Sequence, residues 1–138
     1  MSLHKSGENY LKVIYLLHQK NGEVRECEIA EVMGYSKASV CNMVKILTRQ
    51  GYVTRFQNDV QLTELGLQTA QTIYEKYLIT REFMISVLKV QTAIAEKDAC
   101  HLEHILSAET IKALQNQLIQ KGADKNGTDI CPPMDKGL

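Results

Sequence analysis

The sequence has few of the features that mark secreted, membrane-bound or disulfide-stabilised proteins. Its 138 residues include 4 cysteines without a CxxC pair, only 2 prolines and no tryptophan. No apolar run approaches the roughly 18 residues that a membrane-spanning helix requires. Residues 1–12 also lack the continuous apolar stretch of a secretory signal. We therefore expect reduced thiols, a cytoplasmic location and no membrane partner.

An excess of charge of one sign is also missing, because 16 basic and 16 acidic residues give a formal net charge of zero. Taken as a whole, this neutrality gives no indication of a nucleic-acid partner. Residues 32–58, however, contain no acidic residue and four basic ones: Lys37, Lys45, Arg49 and Arg55. Scattered basic residues usually mark a solvated helix face. The exclusion of acids from this segment favours a surface that attracts phosphates.

Apolar residues recur at helical spacing over most of the chain, which predicts a mainly α fold. The first predicted elements are a helix closed by Gly22, a short helix over residues 26–33 stopped by Gly34, a third helix capped by Ser36 and ended by Gly51, and a small hairpin with its turn at residues 57–59. They are followed by a long helix capped by Thr63 and running to about residue 88, by helices over 92–106 and 107–120, and by a poorly ordered tail over 122–138.

The order helix, short helix, glycine turn, helix and hairpin is typical of a winged helix-turn-helix. Ala30 supplies a small residue where two helices approach closely, and Gly34 permits a sharp turn. Val40 and Val44 can anchor the third helix against the first two. An ordinary corner between two helices could share some of this spacing, but the hairpin that follows at once favours the DNA-binding motif.

Small or basic side chains begin the third helix and are suited to the major groove of DNA. Serine, lysine and asparagine can bond base edges, and an alanine methyl group can touch thymine. Arg55, near the predicted hairpin tip, suits a phosphate or minor-groove contact. The predicted DNA-binding residues are Ser36, Lys37, Ala38, Ser39, Asn42, Lys45, Arg49 and Arg55.

A candidate metal site lies in the predicted helix over residues 92–106. Cys100, Glu103 and His104 stand at positions i, i+3 and i+4, so they project from one helix face. Thiolate, carboxylate and imidazole form a donor set suited to a transition metal. The alternative is a buried cysteine, a packed histidine and a solvated glutamate. No HExxH motif, nucleophile–base pair or glycine-rich phosphate loop occurs, so we expect neither an enzyme nor a small-molecule substrate.

From Glu8 to Leu106 the chain resembles the diphtheria-toxin-repressor and manganese-transport-regulator family of metal-dependent regulators. The similar stretches are ENYLKVIYLL at residues 8–17, the helix-turn-helix at 29–51, LTELG at 62–66 and ACHLEHILS at 99–107, of which the last is the most specific. The resemblance implies a winged helix-turn-helix domain over residues 1–63 and a helical metal-binding and dimerisation domain over 64–121. It also implies a homodimer that binds palindromic double-stranded DNA.

The family's main metal site, carried onto this sequence, consists of Asn9, Cys100, Glu103 and His104. Relatives commonly offer Met or Asp at the position of Asn9, and manganese-type members have a carboxylate at the position of Lys12. Because Cys100 favours a softer ion, Fe²⁺ is expected over Mn²⁺, although either remains a candidate cofactor. The expectation is at most one divalent ion per subunit.

A second, ancillary metal site of the family maps onto Tyr77, Arg81 and Glu96. A tyrosine and an arginine are poor partners for a divalent cation, so we expect this site to be lost. A bound ion at the main site would favour the arrangement that fits DNA, so metal and DNA would each raise the affinity for the other.

In the resemblance, the dimer surface would be formed by the apolar faces of the predicted helices over residues 63–88 and 92–106. The alternative is that these residues pack in the core of a single chain. These candidates are Ile85, Val87, Leu88, Ile94, Leu102, Ile105 and Leu106. The leading hypothesis for function is a metal-responsive repressor of metal-homeostasis genes. The alternatives are a winged-helix regulator that no longer senses metal and, in a different class, a winged-helix adaptor that binds protein.

Overall fold

The computed structural model describes residues 3–124 and is mainly helical. Its elements in chain order are α1 (Lys5–Asn21), α2 (Glu26–Met33), α3 (Lys37–Arg49), β1 (Val53–Phe56), β2 (Asp59–Leu62), α4 (Glu64–Ser86), α5 (Thr92–Leu102) and α6 (Ala108–Asp124). The contacts divide the chain into a first unit, Met1–Thr72, and a second unit, Ile73–Leu138. The division therefore falls within α4, whereas the domain limits expected from the sequence fall before it.

The first unit has one apolar core to which α1, α2, α3 and the hairpin all contribute. On α1, Tyr10, Val13, Ile14 and Leu17 are buried, as their helical spacing predicts. The other buried members of this core are Leu11, Val24, Ile29, Val40, Val44, Leu47, Val53, Val60 and Ala70. Because α3 packs against α2 and β1 through its buried face, the opposite face is left to solvent.

Local signals in the sequence set both ends of the turn between α2 and α3. Gly34 ends α2 with a left-handed φ of 70°, and its N–H donates to the Ala30 carbonyl at 2.9 Å. Ser36 then caps α3, because its hydroxyl oxygen accepts the N–H of Ser39 at 3.1 Å. The predicted glycine stop and serine cap are confirmed.

The hairpin is antiparallel, with Val53 paired to Leu62 and Phe56 paired to Asp59. Its turn therefore contains residues 57–58, and the prediction that residue 59 belongs to the turn is wrong. Asp59 is drawn into β2 because its Oδ1 accepts the Val24 N–H at 2.9 Å. The next residue adds a second bond, from the Val60 N–H to the Val24 carbonyl at 2.8 Å. These bonds fasten the hairpin to the loop before α2.

The later helices end at other residues than the sequence predicts. Helix α5 ends at Leu102 instead of residue 106, because the N–H groups of Ile105 and Leu106 both turn back to the Leu102 carbonyl at 3.0 Å. Helix α4 ends at Ser86, two residues before the predicted end, and Lys89 follows with a positive φ of 60°. Helix α6 starts after Ser107, whose hydroxyl accepts the Thr110 N–H at 3.2 Å, as predicted.

The predicted C-terminal tail coincides only in part with the described residues. Because α6 continues to Asp124, residues 122–124 are helical and their assignment to the tail is wrong. Residues 125–138, with Cys131, lie outside the described residues. In the part that is described, no cysteine forms a disulfide, and no helix combines the length and the apolar character needed to cross a membrane.

The second unit has its own apolar cluster, built on buried residues of α4 and α6. Its buried members are Ile79, Ile111 and Leu118, against which Phe83, Val87, Leu106 and Leu114 pack. Two of the residues predicted for a dimer surface, Val87 and Leu106, therefore pack in the core of their own chain, which was the alternative for these residues. Leu88, Ile94 and Ile105 are exposed. The turn after α5 is fixed by Lys76, whose Nζ donates to the Leu106 carbonyl at 3.1 Å.

Candidate DNA interface and metal centre

Helix α3 presents a polar, basic face to solvent. All eight predicted DNA-binding residues are exposed, whereas Val40, Val44 and Leu47 on the other face are buried. The hydroxyls of Ser36 and Ser39 bond to each other at 2.9 Å, so both serines are engaged in the cap of the helix. The exposed small residues at its start leave room for close approach to a double helix.

A polar pocket of about 260 Å³ lies where the start of α3 meets the start of α2 and the hairpin. The pocket is lined by Arg25, Glu26, Cys27, Lys37, Arg55 and Asn58. Its three basic side chains come from different places in the chain: the cap of α2, the first residue of α3 and strand β1. Such convergence of cations is suited to an anionic ligand. We call this cavity the basic pocket.

Arg55 lies in β1, two residues before the turn and so near the hairpin tip, as the sequence predicts. Its guanidinium pairs with the Glu26 carboxylate. The Arg55 side chain is 42% exposed and that of Glu26 is 13% exposed. Glu26, which lies outside residues 32–58, therefore neutralises one of the four basic charges of that segment. Sequence reasoning missed Glu26 because the pairing joins positions far apart in the chain.

A pair of tyrosines connects α1 to the turn before α3. The ring centroids of Tyr10 and Tyr35 are 6.1 Å apart, with an angle of 35° between the rings. Burial raises the pKa of Tyr10, and the neighbouring Tyr35 hydroxyl raises it further. Tyr35 is exposed and directly precedes the cap residue Ser36. The sequence identified Tyr10 as part of the apolar face of α1 but did not predict its contact with Tyr35, because the contact joins two separate segments of the chain.

The predicted metal ligands lie in both units. Asn9 is half-buried on α1, in the first unit. In the second unit, Cys100 is half-buried on α5, while Glu103 and His104 follow the end of that helix. The prediction that all three lie within one helix is therefore wrong, because α5 ends at Leu102. His104 Nε2 lies 3.4 Å from Glu103 Oε2.

The donor chemistry at these positions fits a divalent transition metal. Glu103 is 1% exposed and the His104 side chain is 2% exposed, so the solvated glutamate of the alternative reading is wrong. A carboxylate buried this deeply needs a compensating charge or hydrogen bonds, and a divalent ion is one source of such a charge. Within residues 3–124, however, no three His, Cys, Asp or Glu side chains are gathered so that they could hold an ion.

The positions of the ancillary site contain an ion pair. Arg81 is buried on α4, and its Nε lies 3.9 Å from Glu96 Oε2. Tyr77, also buried, stacks on Tyr74 with 6.0 Å between ring centroids. The arginine thus brings a permanent positive charge next to the glutamate, which supports the expectation that no second ion binds here. That expectation stays a prediction.

Two family models match the chain over successive segments. The model described as "Iron dependent repressor, N-terminal DNA binding domain" matches residues 2–57. The model described as "Iron dependent repressor, metal binding and dimerisation domain" matches residues 63–132.

Relatives of known sequence and structure agree with these matches. The chain is 33% identical over 115 residues to an uncharacterised helix-turn-helix-type transcriptional regulator of Methanocaldococcus jannaschii, which covers 82% of this chain and 92% of the relative. It is 33% identical over 109 residues to the transcriptional regulator MntR of Escherichia coli O157:H7, covering 78% and 70%. The solved structure of the manganese regulator SloR superposes with a TM-score of 0.73 at 30% identity, covering 86% of this chain and 55% of that one. The chain thus spans about half the length of this solved structure.

Proposed function

Because this chain belongs to the diphtheria-toxin-repressor and manganese-transport-regulator family of metal-dependent regulators, we propose that it is a metal-responsive transcriptional repressor. The family resemblance expected from the sequence is confirmed, as is the mainly α fold with a winged helix-turn-helix and a helical dimerisation domain. The family consists of DNA-binding regulators and not of enzymes, so the chain acts by binding.

The observation that carries the DNA-binding part of the proposal is the exposed, capped and basic face of α3. Helix α3 would lie in the major groove, with Ser36, Lys37, Ala38, Ser39 and Asn42 at base edges. The DNA phosphates would be bound by Lys45, Arg49 and Arg55. Two copies related by a two-fold axis would place their recognition helices roughly 34 Å apart, which suits a palindromic operator.

The metal part of the proposal assigns one divalent ion to each subunit. Cys100, Glu103 and His104 would hold it, and the family resemblance adds the amide oxygen of Asn9. When bound, the ion supplies a fixed positive charge beside the buried Glu103 carboxylate. The Cys100 thiolate favours Fe²⁺ over Mn²⁺, because manganese prefers oxygen ligands. Reciprocity requires that operator DNA raise the metal affinity by the same factor as metal raises the DNA affinity.

Metal analysis of the purified protein, paired with DNA binding under each ion, tests this proposal. We expect binding to a selected operator to rise with Fe²⁺ or Mn²⁺ and to fall with a chelator. His104→Ala should remove this metal dependence. His101→Ala is the control, because it changes an exposed histidine outside the proposed ligands, and it should leave the metal dependence in place. Operator binding that ignores both the chelator and His104→Ala would overturn the metal part and leave the DNA part standing.

A second candidate is a regulator of the same DNA-binding class that has lost metal control. Two observations favour it: Lys12 is buried on α1, where manganese-type relatives offer a carboxylate, and Arg81 pairs with Glu96. This second candidate predicts that a chelator leaves operator binding unchanged. A protein-binding adaptor would instead show duplex affinity that does not depend on salt, or none with any divalent ion.

A further inference from the structure

The basic pocket brings three cations and a single carboxylate together. Arg25, Lys37 and Arg55 converge there from the cap of α2, the start of α3 and strand β1. Glu26 is the acid that lines the pocket with them, and its carboxylate is paired with Arg55. The guanidinium that could bind an external anion is thus engaged with an internal one.

We propose that Glu26 occupies the place of a DNA phosphate in this pocket and competes with DNA for Arg55. The inference rests on the proposed DNA-binding function, and it names a residue that lowers the affinity for DNA. Glu26 then determines how tightly duplex DNA is held by withdrawing one positive charge from the contact surface.

The other two acidic residues of α2, Glu28 and Glu31, do not line the basic pocket. Glu28 is engaged at the start of α2, since its Oε1 accepts the Arg25 N–H at 3.0 Å and its Oε2 accepts the Asn21 side-chain amide at 2.9 Å. Glu31 is exposed on the same helix and does not line the pocket. Glu31 is therefore a control that removes the same charge from the same helix without touching Arg55.

The strength of the pair suits a competitor that yields to DNA. An ion pair whose arginine is 42% exposed is weak, because water and salt screen it. An arginine–phosphate contact can use two parallel N–H donors and is stronger. DNA can therefore displace Glu26, although the displacement reduces the affinity that Arg55 would otherwise contribute.

The test is a salt titration of DNA affinity. Metal-saturated wild type, Glu26→Gln and Glu31→Gln are titrated against a random-sequence duplex of about 30 base pairs by fluorescence anisotropy over about 50 to 300 mM NaCl, since non-specific binding reports phosphate contacts alone. We expect Glu26→Gln to bind about fivefold more tightly and to steepen the salt slope by about 0.9, the value for one added phosphate contact. Glu31→Gln should leave the slope unchanged.

A second substitution assigns the gain to Arg55. In the wild-type background Arg55→Gln should cost less than about twofold in affinity, whereas in the Glu26→Gln background it should remove the whole gain. Thermal unfolding of each variant verifies that the fold is intact, and Arg55→Gln in the wild-type background probes the pair without changing Glu26.

Four results would count against the inference. Equal behaviour of Glu26→Gln and Glu31→Gln would overturn it, as would a gain that persists without Arg55. Weaker binding by Glu26→Gln would show that the carboxylate positions Arg55 for DNA instead of withholding it. If no protein, wild type included, binds the duplex at any salt concentration, the proposed function itself fails and this inference with it.

Discussion

Substitution of Gly66 by alanine tests whether the hairpin is held by the start of α4. Thr63 donates its hydroxyl to the Gly51 carbonyl at 2.7 Å and accepts the Gly66 N–H at 3.1 Å. The Thr63 N–H donates to the Tyr52 carbonyl at 3.0 Å. These bonds bring α4 so close to β1 that a Cβ on Gly66 would lie 2.0 Å from the Tyr52 carbonyl oxygen.

The expected destabilisation is large because backbone atoms are in the way. Overpacking of a core usually costs about 1–3 kcal/mol. Alanine regains up to about 1 kcal/mol of helix propensity over glycine, but a rigid carbonyl gives way less easily than a side chain. We therefore expect Gly66→Ala to lower the free energy of unfolding by about 3 kcal/mol, which corresponds to a melting temperature lower by about 10 °C.

Circular dichroism during thermal and urea unfolding measures this change, and Gly7→Ala is the matched control. A Cβ on Gly7 would lie 2.7 Å from Leu3 Cδ1, the far end of a flexible side chain that can turn away. Gly7→Ala should therefore stay within about 1 kcal/mol of wild type and gain from helix propensity. Equal melting temperatures for Gly66→Ala and wild type, or equal losses in both variants, would refute the argument from close backbone approach.

Two further predictions concern the cap of α3 and the anchor of the hairpin. Ser36→Ala should cost about 1 kcal/mol of stability in urea unfolding, because the N–H of Ser39 loses its acceptor; no change would show that the cap is dispensable. The Val24 N–H, which bonds to Asp59, lowers the pKa of that carboxyl below 3.8. The bond therefore stabilises the fold above that pH, by a small amount because water screens the carboxylate, and this contribution is lost as pH falls through the native pKa. Wild type should exceed Asp59→Asn in stability at neutral pH and lose this advantage in acid; a constant difference would contradict the assignment.

The ends of a helix could be predicted from the sequence where the residues at that end determine them. Gly34 and Ser36 mark the turn before α3 by their own chemistry, and the apolar spacing of α1 identified a buried face. The end of α5 has no such signal, since residues 103–106 contain neither glycine nor proline and continue the apolar pattern. Tertiary contacts decide it instead: Leu106 packs into the cluster around Ile79, and its carbonyl is bound by Lys76.

The candidate sites divide in the same way. The spacing of Cys100, Glu103 and His104 could be recognised in one short segment, but the deep burial of Glu103 could not be derived from it. The pairing of Glu26 with Arg55, and the bond from Val24 to Asp59 across 35 residues, depend on how distant segments meet. Charge counted along residues 32–58 therefore overstated the positive charge of the proposed DNA-binding surface by one unit.

The double fastening of the hairpin bears on how this wing can vary among regulators. Asp59 and Val60 hold one side of the tip to the loop before α2, while Thr63 holds the base to Gly51 and Tyr52. An insertion between Asp59 and Val60 would shift the register of the pairing. Between β1 and β2, residues 57 and 58 are exposed and form the turn. New loops grafted between these two residues should lengthen the wing without disturbing α3, which makes this tip the point where the length of the wing can change independently of the helix proposed to read bases.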